Sequence, residues 1–387
     1  MVSRMLKTTN SYSFFLFGPR ATGKTTLLKK RYGNKDIAYI DLLDLETEDA
    51  FLRNPSELAQ RAASYASQGK EWVIIDEIQK QPRLLDTVHQ KIEETNLKFI
   101  LTGSSARKLK RGVSNLLAGR AFMYHLHPFT HRELKDSFSL NSVLNWGALP
   151  KIFDFEEPED KRMYLQAYAH TYLKEEIQAE QLVRKLSPFR QFLEVAAQCN
   201  GKIINYSKIA DDVGVDTKTV QSYFGILEDT MLGFLLPAYH TSIRKQQRLS
   251  PKFYFFDIGV KRALQRTLKS SVIEGTYAYG DSFEHFILLE MFRLNDYYNL
   301  EWRFSYLRTK DNAEIDCIID RPLMKSALVE IKSGTLITQR DVGTLNVFAK
   351  DLENCDAFCL SNDPHDKKIG KTWCLPWKKG LREIGFV

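Results

Sequence analysis

Apolar residues along this chain fall into two rhythms. Short unbroken runs occur at Ser13–Phe17, 39–41, Trp72–Asp76, 98–102 and 121–126. Between them lie longer stretches in which apolar residues recur every three or four positions, the helical period. Near-continuous apolar strands that alternate with helices predict a parallel sheet covered on both faces, a doubly wound α/β core. From 158 to 186 the rhythm is helical, with Met163, Leu165, Ala167, Tyr168, Tyr172 and Ile177 apolar among charges. A compact helix-turn-helix pattern follows. One helix begins around Tyr206 with Ser207 as its expected cap. Gly214 and Val215 make the turn, and Asp216 or Thr217 caps a second helix holding Val220, Tyr223, Phe224 and Leu227. The last third opens with a long helix from Gly280, then strands at 302–307, 314–320 and 327–332.

The first strand runs into Gly18-Pro19-Arg20-Ala21-Thr22-Gly23-Lys24-Thr25-Thr26, a full Walker A motif with a strand before it and a helix after it. Glycines let the backbone wrap phosphates, and amides at the helix N-terminus face the negative charge. Lys24 is placed to reach the β- and γ-phosphates, and the Thr25 hydroxyl to ligate Mg2+. The strand at 72–76 ends in Asp76-Glu77, where ligands sit in an open α/β sheet. Asp76 is the expected second Mg2+ ligand and Glu77 the group that polarises the attacking water. The strand at 98–102 ends in Gly103-Ser104-Ser105. Ser104 is the candidate sensor of the γ-phosphate, the bland alternative being that both serines cap the next helix. Arg120 follows Asn115-Leu116-Leu117-Ala118-Gly119. It is either an arginine finger, acting on a neighbouring subunit or its own, or a surface residue paired with an acid.

In the last third, Asp316 sits in one strand and Glu330-Ile331-Lys332 in the next. Side chains repeat every two residues along a strand, so Glu330 and Lys332 point the same way. Asp316 and Glu330 are then candidates to share a divalent metal with Lys332 near the attacking water, and Glu284 is a further candidate carboxylate.

Phe17 to Leu28, Val73 to Gln79, Leu101 to Ser105, Leu117 to Ala121 and His127-Pro128-Phe129 together resemble the prokaryotic AAA-type ATPases that carry an uncharacterised C-terminal domain of the DUF4143 type. The resemblance continues through Trp146-Gly147-Ala148-Leu149-Pro150, where many relatives have Gly-Gly-Phe-Pro, and through Tyr168 to Glu176 into the last third. It implies a P-loop AAA-type core with a helical lid. The helix-then-three-strands order of the last third resembles restriction-endonuclease-like domains. The expected organisation is an ATPase domain over 1–135, a helical lid and linker over 136–190, a winged helix over 191–250 and the nuclease-like α/β domain over 251–387.

Composition narrows this reading only a little. Of 387 residues, 43% are hydrophobic and 27% charged, and the formal net charge is +7. That balance is ordinary for a globular protein and compatible with an anionic partner. Arg244, Lys245, Arg248, Lys252, Lys261, Arg262, Arg266 and Lys269 are opposed in sequence only by Asp257, so this run is a candidate face for nucleic acid. Asp211 and Asp212 beside the helix-turn-helix weigh against phosphate there. No stretch approaches the ~20 apolar residues of a membrane helix, so a cytoplasmic location is expected. Five scattered cysteines read as reduced thiols. Cys355, Cys359, His365 and Cys374 are close enough in sequence to weigh zinc, against which 357–360 reads as a buried strand.

The expected activity is Mg2+-dependent ATP hydrolysis coupled to nucleic-acid binding, with nuclease activity as a further candidate role. The alternative is a nucleotide-controlled switch that binds a protein partner, or self-associates, and keeps a catalytically dead nuclease-like domain.

Overall fold

The computed structural model describes residues 2–33, 37–54, 56–105, 119–172, 186–240, 242–247, 249–352 and 354–387. Asn115 to Ala118, the stretch 173–185 with Ile177, and Arg248 therefore lie outside the described residues. The chain divides into two compact units. One comprises 1–129, 149–151 and 225–232, the other 130–148, 152–224 and 233–387.

The first unit is built on a five-stranded, all-parallel sheet. Its strands are β1 (Ser13–Phe17), β2 (Ile37–Asp41), β3 (Trp72–Asp76), β4 (Lys98–Gly103) and β5 (Ala121–His125), in the order β2-β3-β4-β1-β5. The pattern of burial explains that order. β1 and β3 are buried at every position and β4 at all but its first, as strands covered on both faces must be. The edge strand β5 is half-buried or exposed throughout. Helices α1 (Lys24–Tyr32), α2 (Leu45–Arg53), α3 (Glu57–Ser67) and α4 (Leu84–Glu94) connect and cover the strands. Phe15, Phe17, Val73, Ile75, Phe99 and Leu101 share a core with Phe51, Leu58, Leu84 and Val88 from the helices. Burying each of these large side chains contributes about 1.5–3 kcal/mol.

The second unit begins with α5 (His131–Leu134), α6 (Leu140–Trp146) and α7 (Pro158–Ala167), which runs on into a π-helical turn over Tyr168–Tyr172. Next come α8 (Leu186–Gln198), α9 (Tyr206–Val213), α10 (Thr217–Asp229) and the hairpin β6 (Gly233–Leu236) and β7 (Lys252–Phe255). The boundary between the units falls within α10. The cap of α9 is Asn205, whose side chain accepts from Lys208 N–H at 3.1 Å, rather than Ser207. Gly214 closes that helix, and Asp216 caps the next by accepting from Thr219 N–H at 2.9 Å.

After α11 (Ile243–Gln246) and α12 (Ile258–Leu264), the long α13 (Tyr277–Tyr297) leads into a six-stranded mixed sheet. Its strands are β8 (Arg303–Arg308), β9 (Glu314–Asp320), β10 (Ser326–Lys332), β11 (Cys355–Ser361), β12 (Lys367–Ile369) and β13 (Thr372–Pro376), ordered β12-β13-β11-β10-β9-β8. β10, β11 and β13 are mutually parallel, and the remaining pairs are antiparallel. α14 (Gly343–Asp351) covers Ile318, Leu328 and Ala357, and α15 (Trp377–Ile384) packs on β11 and β13.

Four of the eight basic residues expected to face a polyanion are engaged within this unit. Lys252 is buried against Glu314 at 2.5 Å, and Lys261 is buried against Asp281 at 2.5 Å. Arg262 is buried on the carbonyls of Asn145, Thr267 and Ser270, and Arg266 pairs with Glu194 at 2.6 Å. Glu314, Asp281, Glu194 and Asn145 all lie outside the run, so a charge count within it misses them. Among the described residues, no helix is long and apolar enough to cross a membrane.

Candidate nucleotide site and C-terminal carboxylate cluster

The loop between β1 and α1 is shaped for close approach. A Cβ on Gly18 would stand 2.3 Å from the Leu126 carbonyl oxygen, so no other residue fits there. Ala21 takes a left-handed φ of 62°. Arg4 fastens the loop from outside by donating to Thr22 O at 2.8 Å and His127 O at 2.5 Å. Thr22 Oγ1 closes it internally on Pro19 O at 2.9 Å. Lys24 Nζ lies over the same loop, donating to Gly18 O at 2.6 Å and Pro19 O at 3.2 Å. The N-cap of α1 is Gly23, and no side chain caps that end. The amides of Lys24, Thr25 and Thr26 precede the first intrahelical bond, Leu27 N–H to Gly23 O.

β3 delivers Asp76 beside this helix. Its carboxylate receives three hydroxyls: Thr25 Oγ1 at 2.9 Å, Tyr39 Oη at 2.5 Å and Thr102 Oγ1. Burial, with the neighbouring Asp76 charge, holds the Tyr39 phenol far above its ordinary range, so it stays a donor. Sequence and structure thus put Thr25 and Asp76, 51 positions apart, in direct contact. Tyr39 and Thr102 were not singled out from sequence; they come from the middle of β2 and the end of β4, the strands that flank β3.

Glu77 turns the chain sharply at φ 60°, ψ 46°, a left-handed conformation costing about 1–2 kcal/mol for a non-glycine residue. Its side chain is buried and accepts from Gln79 Nε2, which also reaches Ser104 Oγ at 3.2 Å. Gln79 therefore ties the two strand-end residues together, and its spacing two residues after Glu77 carries no signal in the sequence. Arg120 lies elsewhere. β5 runs parallel to β1 with Ala121 opposite Ser13 and His125 opposite Phe17. Arg120 is therefore at the amino edge of the sheet, about 16 Å from the loop after Phe17. It pairs there with Glu93, at 2.9 Å through Nε. The pair with Glu93 is the surface arrangement that the sequence also allowed.

In the second unit the register sets Val329 opposite Cys317, so Glu330 stands opposite Asp316 one step further on. Asp316 Oδ2 accepts from Ile331 N–H at 2.7 Å, and Lys332 Nζ donates to Glu330 Oε1 at 2.6 Å. Glu330 is buried, and its Oε2 has no hydrogen-bond partner. Burial, then the Asp316 charge, pushes the Glu330 carboxyl up to about 8. The same two causes push Glu284 up to about 7, and burial also raises Asp316. Burial would lower Lys332, but Glu330 and Asp316 outweigh it and keep the ammonium charged.

Glu284 accepts from Tyr254 Oη at 2.7 Å and lies 3.9 Å from Lys252 Nζ. Among the described residues, no group of three His, Cys, Asp or Glu side chains is placed to hold a metal ion. Lys252 and Tyr254 come from β7, and no sequence signal linked them to this cluster. Cys359 and Cys374 are buried on adjacent strands, while Cys355 lies at the start of β11.

Residues 10–135 match the AAA domain family, residues 137–271 a domain of unknown function (DUF8612) and residues 279–379 another (DUF4143). An uncharacterized protein of Mycobacterium tuberculosis is 27% identical over 346 residues, covering 83% of this chain and 74% of that one. An uncharacterized protein of Methanocaldococcus jannaschii is 24% identical over 380 residues, covering 86% and 78%. Among solved structures, the Aeropyrum pernix Orc1 protein in complex with DNA aligns over 66% of this chain and 86% of that chain, at 14% identity and a TM-score of 0.25. A likeness that slight supports no conclusion about fold or ligand.

Proposed function

For a chain that carries an AAA domain joined to two domains of unknown function, and whose relatives are uncharacterised prokaryotic proteins, we propose Mg2+-dependent hydrolysis of ATP at the β1–α1 loop. One observation carries the reading: the Thr25 hydroxyl already rests on the Asp76 carboxylate, beside uncapped helix amides. These residues fit Mg2+, which takes one or two carboxylates and a hydroxyl and keeps several waters. When bound, the ion neutralises charge on the β- and γ-phosphates. Lys24 exchanges the Gly18 and Pro19 carbonyls for phosphate oxygens. Glu77, held by Gln79, orients and deprotonates the attacking water, and Ser104 at the far end of the same link senses the γ-phosphate. In the test, Lys24→Ala abolishes ATP binding or turnover while the circular dichroism spectrum is retained. Unchanged turnover in that variant would sink the assignment.

A second reading concerns the C-terminal cluster, and the orphaned Glu330 Oε2 favours it. A buried carboxylate oxygen with no donor, beside a second carboxylate, suits a divalent ion held by Asp316 and Glu330 with water completing its shell. Lys332 would then stand next to the attacking water of phosphodiester cleavage. Nuclease assays should show Mg2+- or Mn2+-dependent cleavage that disappears in Glu330→Ala and Lys332→Ala. Absence of any cleavage by the wild type would favour the switch reading with an inactive domain, and cleavage that survives in both variants would rule out this site as its source.

A further inference from the structure

Around the amino-terminal ends of β10 and β11 and along β13 as far as Leu375, the C-terminal sheet bears a groove of about 920 Å³. A smaller cavity of about 270 Å³ shares Lys350, Gly370 and Lys371 with it and extends it around the β12–β13 turn. Five lysines line the groove, Lys325, Lys350, Lys368, Lys371 and Lys379, against three acids, Asp356, Asp366 and Glu383. Two of the acids are already neutralised, Asp356 by Arg321 at 2.8 Å and Asp366 by Lys379. Lys325, Lys350, Lys368 and Lys371 have no carboxylate within ion-pair distance among the described residues. In their midst stands Trp373, 44% exposed, with Lys368 Nζ 4.8 Å from its ring centroid.

We propose that this groove binds single-stranded nucleic acid, its lysines taking the backbone phosphates and Trp373 stacking on a base. The exposed indole, set among cations, offers a flat face on which a base can stack. The pairing of such a ring with cations along an open groove is the general form of single-strand binding. Duplex nucleic acid is a poorer fit, because its base faces are already stacked. An acidic peptide would match the lysines but leave the indole uncovered. With lysines lining it and no arginine fork to read base edges, the groove should be indifferent to sequence. Glu330 shares a sheet face with Cys359 and Cys374, whereas Trp373 and Leu375 alternate to the other face, so the inference rests on neither ATP hydrolysis nor cleavage.

The test uses the full chain in EDTA, with fluorescence anisotropy of a labelled oligothymidylate of about 15 nucleotides. Duplex of equal length, heparin and poly-glutamate serve as competitors. Four phosphate contacts predict a log–log salt slope of about −2.8. Trp373→Ala should weaken binding about 5- to 150-fold, as expected for one lost stacked base, and Trp373→Phe should recover most of it. Lys371→Glu should flatten the salt slope by at least about 0.7. The circular dichroism spectrum and the urea unfolding midpoint should be unchanged in all three, which serves as the folding control. Oligothymidylate affinity that is the same in Trp373→Ala and Lys371→Glu as in the wild type would overturn the proposal. So would heparin, duplex or poly-glutamate displacing the oligonucleotide at equal or lower concentration.

Discussion

Tyr39→Phe removes one hydroxyl and little volume, and the position was invisible in the sequence. In the structure its Oη donates to Asp76 Oδ2 at 2.5 Å, the same oxygen that takes the Thr25 hydroxyl. Thr102 still donates to the other oxygen, so the carboxylate stays in place but loses one of its three donors. A hydrogen bond to a charged group is worth about 1.5–3 kcal/mol. At about 1.4 kcal/mol per decade that is roughly one to two powers of ten, the same range by which outer-sphere partners tune metal affinity. If Asp76 holds Mg2+, Tyr39→Phe should raise the Mg2+ concentration for half-maximal ATP hydrolysis about 10- to 100-fold. Turnover at saturating Mg2+ should stay near wild type, because Glu77, Gln79 and Lys24 are untouched. Nucleotide affinity measured calorimetrically in EDTA should not change, because no phosphate contact is lost. An unchanged Mg2+ dependence would refute the role given to Asp76. An equal loss of affinity with and without Mg2+ would show that Tyr39 supports the loop instead.

Glu77→Gln should keep ATP bound and slow its hydrolysis by about two orders of magnitude, and equal losses of affinity and turnover would instead mark a structural or metal role. Arg120→Ala should cost under about 1 kcal/mol, since its pair with Glu93 is exposed, and should leave turnover unchanged; a collapse rescued by mixing with Lys24→Ala subunits would make it a finger supplied in trans. Gly147→Ala should be among the most damaging single changes in the second unit. Its φ is 76°, and a Cβ there would lie 2.1 Å from the buried Asp257 carboxylate that accepts from Ala148 and Val260 N–H. A loss of about 3 kcal/mol or more in urea unfolding is expected, against about 1–2 kcal/mol for Gly69→Ala, where φ is 75° and nothing lies within 4 Å.

The strands of the first sheet were legible in the sequence because strands buried on both faces must be apolar at nearly every position, and β1, β3 and β4 are. The phosphate loop was legible for a related reason: its chemistry lies within consecutive residues, where glycines, Lys24 and Thr25 act through backbone geometry that neighbours dictate. Alternation along β10 likewise put Glu330 and Lys332 on one side, and Lys332 does donate to Glu330.

What only the tertiary structure decided is which distant residues meet. Tyr39 and Thr102 converge on Asp76 because β2 and β4 flank β3 in register. Gln79 joins Glu77 to Ser104 because the left-handed turn at Glu77 folds the chain back across the end of β4. The basic run from Arg244 to Lys269 looked like an exposed field, yet Lys252, Lys261 and Arg262 are buried, with Glu314, Asp281 and Asn145 reaching them from outside the run. Arg120 follows a glycine as a finger might, but the parallel register of β5 sets it at the amino edge of its own sheet. Local pattern is read by the chain's own periodicity, whereas charge becomes a site or a structural pair only through contacts that the folded chain makes across tens or hundreds of residues.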